Sequence, residues 1–313
     1  MFQEVKALRS PTGATLAWRS QAAAAPERGV LLLSHGLAEH SARYARFAHF
    51  MAVQGFHIYA HDHRGHGATQ GADAPFGRYA QAEGPKKVVE DIAAIAGVAK
   101  AEHPDLPVIL FGHSMGGLIA LNAAEENPEL YDGLAVWNSN LNPGLAGRAA
   151  LVILAGERML KGSDVPSTIL PPLTFGAWGK SIPGHKTPFD WLSRDEREVA
   201  AYIADPLCGF DASVSMWIDI FRLTFAGASS ERLRRLPAKL PIHLVGGGQD
   251  PATNGGRAIG WLGERMKRHG LLNVTTRLYP EMRHETLNEK DREGPMRDFA
   301  AWCAAVANGW RKA

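Results

Sequence analysis

Three residues far apart in the chain, Ser114, Asp250 and His284, are of the types needed to turn an alcohol into a nucleophile. A serine hydroxyl needs a base to take its proton. The base, a neutral histidine, needs a carboxylate to hold its acceptor nitrogen toward that hydroxyl. Ser114 lies in Gly112-His113-Ser114-Met115-Gly116, which fits G-x-S-x-G, with the apolar run 108–111 before it and the helical pattern 118–124 after it. A serine in such a strand-to-helix turn is held in a strained conformation, and bulky side chains at Gly112 and Gly116 would clash. Its Oγ then projects above the sheet, and the helix N-terminus behind it supplies free N–H groups where an oxyanion would form.

Thirteen histidines compete for the base. His284 is favoured because it sits in a polar loop after the last strand candidate, residues 274–279, and ahead of the final helix. Asp250 ends Val245-Gly-Gly-Gly-Gln-Asp250-Pro251, just past another strand candidate, which puts its carboxylate on the same sheet edge as Ser114. Gly246, Gly247 and Gly248 are expected to let the backbone turn sharply there. His35-Gly36-Leu37 follows an earlier strand, so the backbone N–H groups of Leu37 and Met115 are the expected oxyanion donors. The chemistry predicts a rate that rises with pH as the base loses its proton.

Positioning these groups requires strands that share an edge. Residues 29–34, 56–60, 108–111 and 134–137 read as short buried strands, with helical patterns over 43–53, 86–100 and 116–126 between them. Such alternation implies an α/β fold with a mostly parallel sheet, whose sites lie at the carboxyl ends of its strands. From about residue 142 to 235 the alternation breaks, with a Pro- and Gly-rich stretch over 167–188, and this segment reads as an inserted helical cap. Within it, Ser193-Arg194-Asp195-Glu196 has capping-box spacing and predicts a helix through about Tyr202. Strand signals return at 241–245 and 274–279, with helices at 258–267 and 295–308. The chain thus divides into a first core segment over residues 1–141, a cap over 142–236 and a second core segment over 237–313.

Composition narrows the classes. Hydrophobic residues make up 45% and charged residues 21%, within the range of folded globular chains. The net charge of +2 provides no field for nucleic acid, and the cluster Arg232, Arg234 and Arg235 reads as a solvated helix face. Cys208 and Cys303 lack metal-ligand spacing and read as free, buried thiols. Asp62-His63-Arg64-Gly65-His66-Gly67 lacks the helical His spacing of a zinc site and reads as a structural loop beside the oxyanion turn, with His113 packed under the serine turn. No metal and no cofactor is expected. Residues 1–19 show no export signal and no run of about 20 apolar residues spans a bilayer, so a cytoplasmic location is expected. The oligomeric state is left open.

With these residues in view, the chain resembles the monoglyceride lipase and lysophospholipase branch of the α/β-hydrolase superfamily. His35-Gly-Leu-Ala-Glu39-His40-Ser-Ala-Arg43-Tyr44 looks like that branch's oxyanion motif, 62–67 like its next loop and 112–117 like its nucleophile turn. Glu198-Val199, Tyr202 and Asp205-Pro206-Leu207 have the spacing of its lid helix. The chain departs from the branch mainly over 146–185. The resemblance implies an α/β-hydrolase fold, a triad of Ser114, Asp250 and His284, and an apolar lid over an acyl tunnel. Trp178, Trp191 and Trp217, with Phe189 and Phe221, could line that tunnel, and the lid could touch a membrane peripherally. The expected reaction is hydrolysis of a monoacylglycerol, lysophospholipid or other simple acyl ester through an acyl-serine. An amidase, aminopeptidase or acyltransferase on the same triad, or a slow-turnover sensor, remains an alternative.

Overall fold

The computed structural model describes residues 2–310. Met1 and residues 311–313, which the sequence assigns to the two core segments, lie outside the described residues.

The chain opens with two strands, β1 (Lys6–Arg9) at the sheet edge and β2 (Thr15–Gln21) beside it, joined by a turn in which Gly13 takes a φ of 90°. The alternation then runs β3 (Gly29–Ser34), α1 (Ala45–Val53), β4 (Phe56–His61), α2 (Gly84–Glu102), β5 (Val108–His113), α3 (Met115–Glu126) and β6 (Gly133–Trp137). Five helices follow without a named strand: α4 (Gly144–Lys161), α5 (Ala177–Ser181), α6 (Glu196–Ala204), α7 (Val214–Gly227) and α8 (Ser230–Leu233). The sheet resumes with β7 (Ile242–Gly247), α9 (Arg257–Arg268), β8 (Val274–Tyr279) and the closing α10 (Glu293–Gly309).

The strands form one eight-stranded sheet in the order β1-β2-β4-β3-β5-β6-β7-β8. β1–β2 and β2–β4 pair antiparallel, and the other pairs are parallel. Every residue of β3, β4, β5, β6 and β7 is buried, which is why these strands read as continuous apolar runs. The two-residue period sorts them between two cores. Leu32, Leu110, Leu134 and Val136 face one packed by α2, α3 and α7, while Leu31, Leu33, Ile109 and Phe111 face another packed by α1 and α10. Each such buried Leu, Ile or Phe contributes about 1.5–3 kcal/mol. The sheet is thereby clamped from both sides, and the loops at the carboxyl ends of β3, β5, β6 and β7 have a rigid base.

Several local expectations are corrected. The helix predicted from residue 43 begins as a 3-10 turn, Ser41–Tyr44, before α1. Ser193 does not cap α6. Asp195 does, accepting from the Arg197 N–H at 3.1 Å, while the Ser193 hydroxyl donates to the Asn288 carbonyl at 2.8 Å. Cys303 is buried, but Cys208 is only partly so, and both are free. Arg232 and Arg235 are not simply solvated, since they pair with Glu125, Glu126 and Glu231 and pin α8 to the end of α3. Among the described residues no helix is long and apolar enough to cross a membrane.

Candidate active site

Ser114 stands between β5 and α3 with φ 55° and ψ −121°, a conformation that costs about 1–3 kcal/mol and persists only where the surroundings enforce it. Here they do. The Ser114 N–H donates to the Trp137 carbonyl at 2.8 Å, and the Ser139 hydroxyl donates to the Ser114 carbonyl at 2.7 Å. The flanking glycines are needed for room: a Cβ on Gly112 would strike the Gly116 carbonyl oxygen, and one on Gly116 the Ser34 carbonyl oxygen.

The structure brings the three sequence-derived residues together. His284 Nε2 lies 2.9 Å from Ser114 Oγ, and His284 Nδ1 lies 3.0 Å from Asp250 Oδ2. Asp250 is fully buried on the turn after β7. Burial alone would raise its pKa, but His284, the Thr253 hydroxyl at 2.8 Å and the Asn138 amide at 3.3 Å hold it below the usual carboxylate value. The Ala252 N–H, 2.9 Å from Oδ1, fixes the other oxygen. Such a relay can draw the proton from an alcohol while the carboxylate stays ionised.

The chain does turn at the glycines before Asp250, with the Asp250 N–H donating to the Gly247 carbonyl at 3.3 Å, but without left-handed backbone. None of Gly246, Gly247 and Gly248 has a positive φ. Gly247 and Gly248 are small because the loop carrying His284 passes over them: a Cβ on Gly247 would strike the Arg283 carbonyl oxygen and one on Gly248 would lie 2.5 Å from that of Pro280. Close approach as well as the turn brings Asp250 to His284.

A cavity of about 570 Å³ opens above Ser114, within the range of sites for drug-sized ligands. Gly36, Leu37, Ser114, Met115 and His284 form its floor side, and residues of α4 and α7 with Phe175 line the rest. Trp178, Trp191, Trp217 and Phe221 all line it. Phe189 does not figure among the lining residues and packs on Tyr202, ring centroids 5.2 Å apart. Trp191 lies against His284 at 4.8 Å between ring centroids, so the wall of the cavity begins at that imidazole.

The family model described as serine aminopeptidase, S33, matches residues 25–291. The chain belongs to that family. It is 29% identical over 278 residues to a monoacylglycerol lipase of Mycolicibacterium smegmatis, covering 88% of each chain. It is 28% identical over 251 residues to the monoglyceride lipase of Mus musculus, covering 80% of this chain and 74% of that protein. In three dimensions it is similar to a thermostable carboxyl esterase from Bacillus coagulans in complex with glycerol, with a TM-score of 0.88, 24% identity and coverage of 97% and 98% of the two chains. The fold is the α/β-hydrolase fold.

Within that fold, some members of the site escaped the sequence reading. Asn138, with a φ of 51°, directly follows β6 and reaches Asp250, and Thr253 lies three residues beyond the aspartate it bonds. The position of Asn138 at the end of a buried strand was the available signal. The 62–67 loop is structural, as read: Asp62 accepts from Ser41 and Ala68, His63 Nε2 lies 2.9 Å from the Ser34 hydroxyl, and buried Arg64 bonds the Tyr79 carbonyl at 2.7 Å. Burial pushes His61 and His66 down to about 3, so both rings are neutral. Folding also brings His40, Asp205 and Cys208 within 4.8 Å, the one such group among the described residues. His40 and Asp205 already bond each other at 2.9 Å, and burial pushes the pKa of the Cys208 thiol up.

Proposed function

We propose that this chain hydrolyses carboxylic esters, of the monoacylglycerol or similar simple acyl type, through an acyl-Ser114 intermediate. The observation that carries this reading is the 2.9 Å contact between His284 Nε2 and Ser114 Oγ at the floor of a large apolar cavity. His284 takes the hydroxyl proton as Oγ attacks the ester carbonyl, and gives it to the leaving alkoxide as the acyl-serine forms. Water then attacks the acyl-serine, its proton passing to His284 and back to Ser114 as the carboxylic acid leaves. Asp250 keeps the imidazole oriented and stabilises its protonated form.

Leu37 and Met115 are the proposed oxyanion donors. Both line the cavity beside Ser114, and Met115 opens α3, whose first N–H groups have no partner within the helix. The neighbouring Gly36 N–H is already committed to Glu39 at 2.6 Å. Residues 142–236 serve as the cap over the core, and Trp178, Trp191 and Trp217 as walls for the acyl chain. The relatives named for monoacylglycerol support this substrate class.

The outer side of the cap fits a lipid surface. Leu145, Val152 and Met159 recur at seven-residue spacing on α4 and are 84%, 73% and 88% exposed, with Leu160 beside them. Residues so spaced share one helix face, and such an exposed apolar face is where an interfacial helix buries into the acyl boundary.

One comparison tests the reaction: p-nitrophenyl esters of increasing chain length against aminoacyl anilides. Ester turnover well above anilide turnover is expected, and the reverse order would replace this reading with an aminopeptidase. The double variant Met159→Asp with Leu160→Asp should bind zwitterionic vesicles at least about tenfold more weakly while hydrolysing soluble esters as before. Unchanged vesicle binding would remove α4 as the contact.

A further inference from the structure

Beneath Ser114 and His284 lies a second group of charges with no place in the chemistry just described. Glu39 follows the oxyanion loop, Arg43 lies in the turn before α1, His113 immediately precedes Ser114, and Glu285 immediately follows His284. Glu39, His113 and Glu285 are buried, and the Arg43 side chain is 11% exposed. Arg43 binds both Glu285 oxygens at 2.7 and 2.8 Å and Glu39 Oε2 at 2.6 Å.

We propose that His113 is a protonated positioning residue, an imidazolium that ties the carbonyl of His284 to the carboxylate of Glu39 and completes a charge-balanced quartet with Arg43 and Glu285. The inference rests on the reading of His284 as the base. Its geometric ground is the pair of partners on the ring: His113 Nδ1 faces Glu39 Oε1 at 3.4 Å, and Nε2 faces the His284 carbonyl oxygen at 3.1 Å. A backbone carbonyl can only accept, and so can an ionised carboxylate. A neutral imidazole has one donor for these two acceptors, and an imidazolium has two.

Moving the proton to Glu39 does not resolve the mismatch. Its Oε1 already accepts from the Gly36 N–H at 2.6 Å and the Tyr44 hydroxyl at 2.9 Å, and its Oε2 from Arg43. Against the effect of burial, Arg43 and His113 hold this carboxyl well below its usual value. The charge count agrees: two carboxylates against one guanidinium leave a buried negative charge, which costs several kcal/mol unless paired. A proton on His113 brings the sum to zero.

The other titratable groups around the cluster do not supply that charge. The Tyr44 and Tyr202 phenols and the Cys208 thiol are pushed up chiefly by burial and stay protonated, burial pushes His35 down, and Asp205 is paired with His40. The ring of His284 lies 4.9 Å from that of His113. Burial would lower the His113 pKa, but Glu39 and then Glu285 raise it above the ordinary value. A raised folded-state value means that the stabilisation from protonated His113 is fully present below the ordinary histidine value of about 6.5 and is lost as pH climbs through the raised one. Once the proton is gone, one of the two ties opens, and either the oxyanion loop or the loop carrying the base loses its anchor. The structure thereby assigns a fall in turnover on the alkaline side to His113.

The test is nitrogen-15 NMR of the whole chain labelled at histidine, at a pH about one unit above the ordinary histidine value of about 6.5. An imidazolium pattern, both ring nitrogens protonated, is expected to be present and to vanish in His113→Gln. Glu39→Gln provides a second route to the assignment and should convert that resonance to a neutral tautomer. A neutral pattern for His113 at this pH, or an imidazolium unaffected by either variant, would overturn the proposal. In kinetics, His113→Gln should lower kcat roughly 10- to 100-fold with little change in KM and flatten the alkaline fall, a change in profile that lost packing alone would not produce. Because the resonance is read without turnover, its failure is distinct from failure of the His284 assignment, which would appear as activity retained without that imidazole.

Discussion

Replacing His284 with alanine is expected to lower kcat on a soluble p-nitrophenyl ester by about four to six orders of magnitude, the loss typical when a serine nucleophile loses its base. The loop should survive the change. Its ties do not run through the imidazole: the His284 N–H donates to the Trp191 carbonyl, the Glu285 N–H to the Leu192 carbonyl at 2.7 Å, the His284 carbonyl meets His113, and the Glu285 carboxylate holds Arg43. What disappears is the imidazole 2.9 Å from Ser114 Oγ. Without it the hydroxyl must lose its proton to water at a rate set by its own weak acidity. Stopped assays with burst analysis would separate slow acylation from slow deacylation, and both steps should slow because both pass a proton through the same ring. A loss smaller than tenfold in a folded variant would mean that another group is the base.

Asp250→Asn is expected to lower kcat about 10⁴-fold while leaving the shape of the site intact, because an amide can favour the wrong imidazole tautomer. The surroundings make that outcome hard to avoid. Oδ2 receives His284 Nδ1, Thr253 and Asn138, and Oδ1 receives the Ala252 N–H, so every partner of Asp250 approaches as a donor. An asparagine must turn its own NH₂ toward one of them. Facing His284, the NH₂ reverses the bond that fixes the tautomer. Facing Ala252, it loses the anchor that aims the side chain. The native carboxyl, held below its usual value, contributes stability that is complete above the ordinary aspartate value and is lost as pH falls through the lowered one. Asp250→Asn should therefore lose some of its acid sensitivity in thermal melts below about pH 4, measured beside the kinetics. Near-native kcat would contradict the role assigned to Asp250.

How much of this was legible before folding depends on the range of the interaction. The buried parallel strands announce themselves because each is apolar on both faces, and β3 carries the bounds that the pattern indicates, as does the largely exposed edge strand β8. The turn at Ser114 was legible because its serine and glycines form a compact local pattern between an apolar strand and a helix, even though Gly116 also answers the distant Ser34 carbonyl. Asp250 and His284 could be chosen because strand order places their loops on one edge. The β1–β2 pair goes unannounced, although Leu16 and Trp18 alternate in β2 after a Pro-Thr-Gly turn, because β1 is a four-residue edge strand and the pair carries few apolar residues.

The quartet under the site was hidden for a different reason. Its members come from three stretches, and nothing in the spacing between Glu39 with Arg43, His113 and Glu285 says that they share one buried space. Folding decides which charges meet. The glycines before Asp250 teach the same lesson, since their smallness answers a loop more than thirty residues later in the chain. Phe189 was misplaced because an aromatic ring in a cap gives no sign of whether it lines a cavity or fills the cap's own core, as it does from a turn beside Tyr202. Helix α6 starts at Asp195 rather than Ser193 because the serine hydroxyl is drawn to Asn288 on a distant loop.

The account rests on an activated hydroxyl at one position, and a fluorophosphonate reads that property directly. The folded protein should be labelled within minutes with one phosphonyl group, the peptide that carries it should map the group to Ser114, and Ser114→Ala should take up none. Folded protein that stays unlabelled, or that carries the group on another residue, would contradict the account.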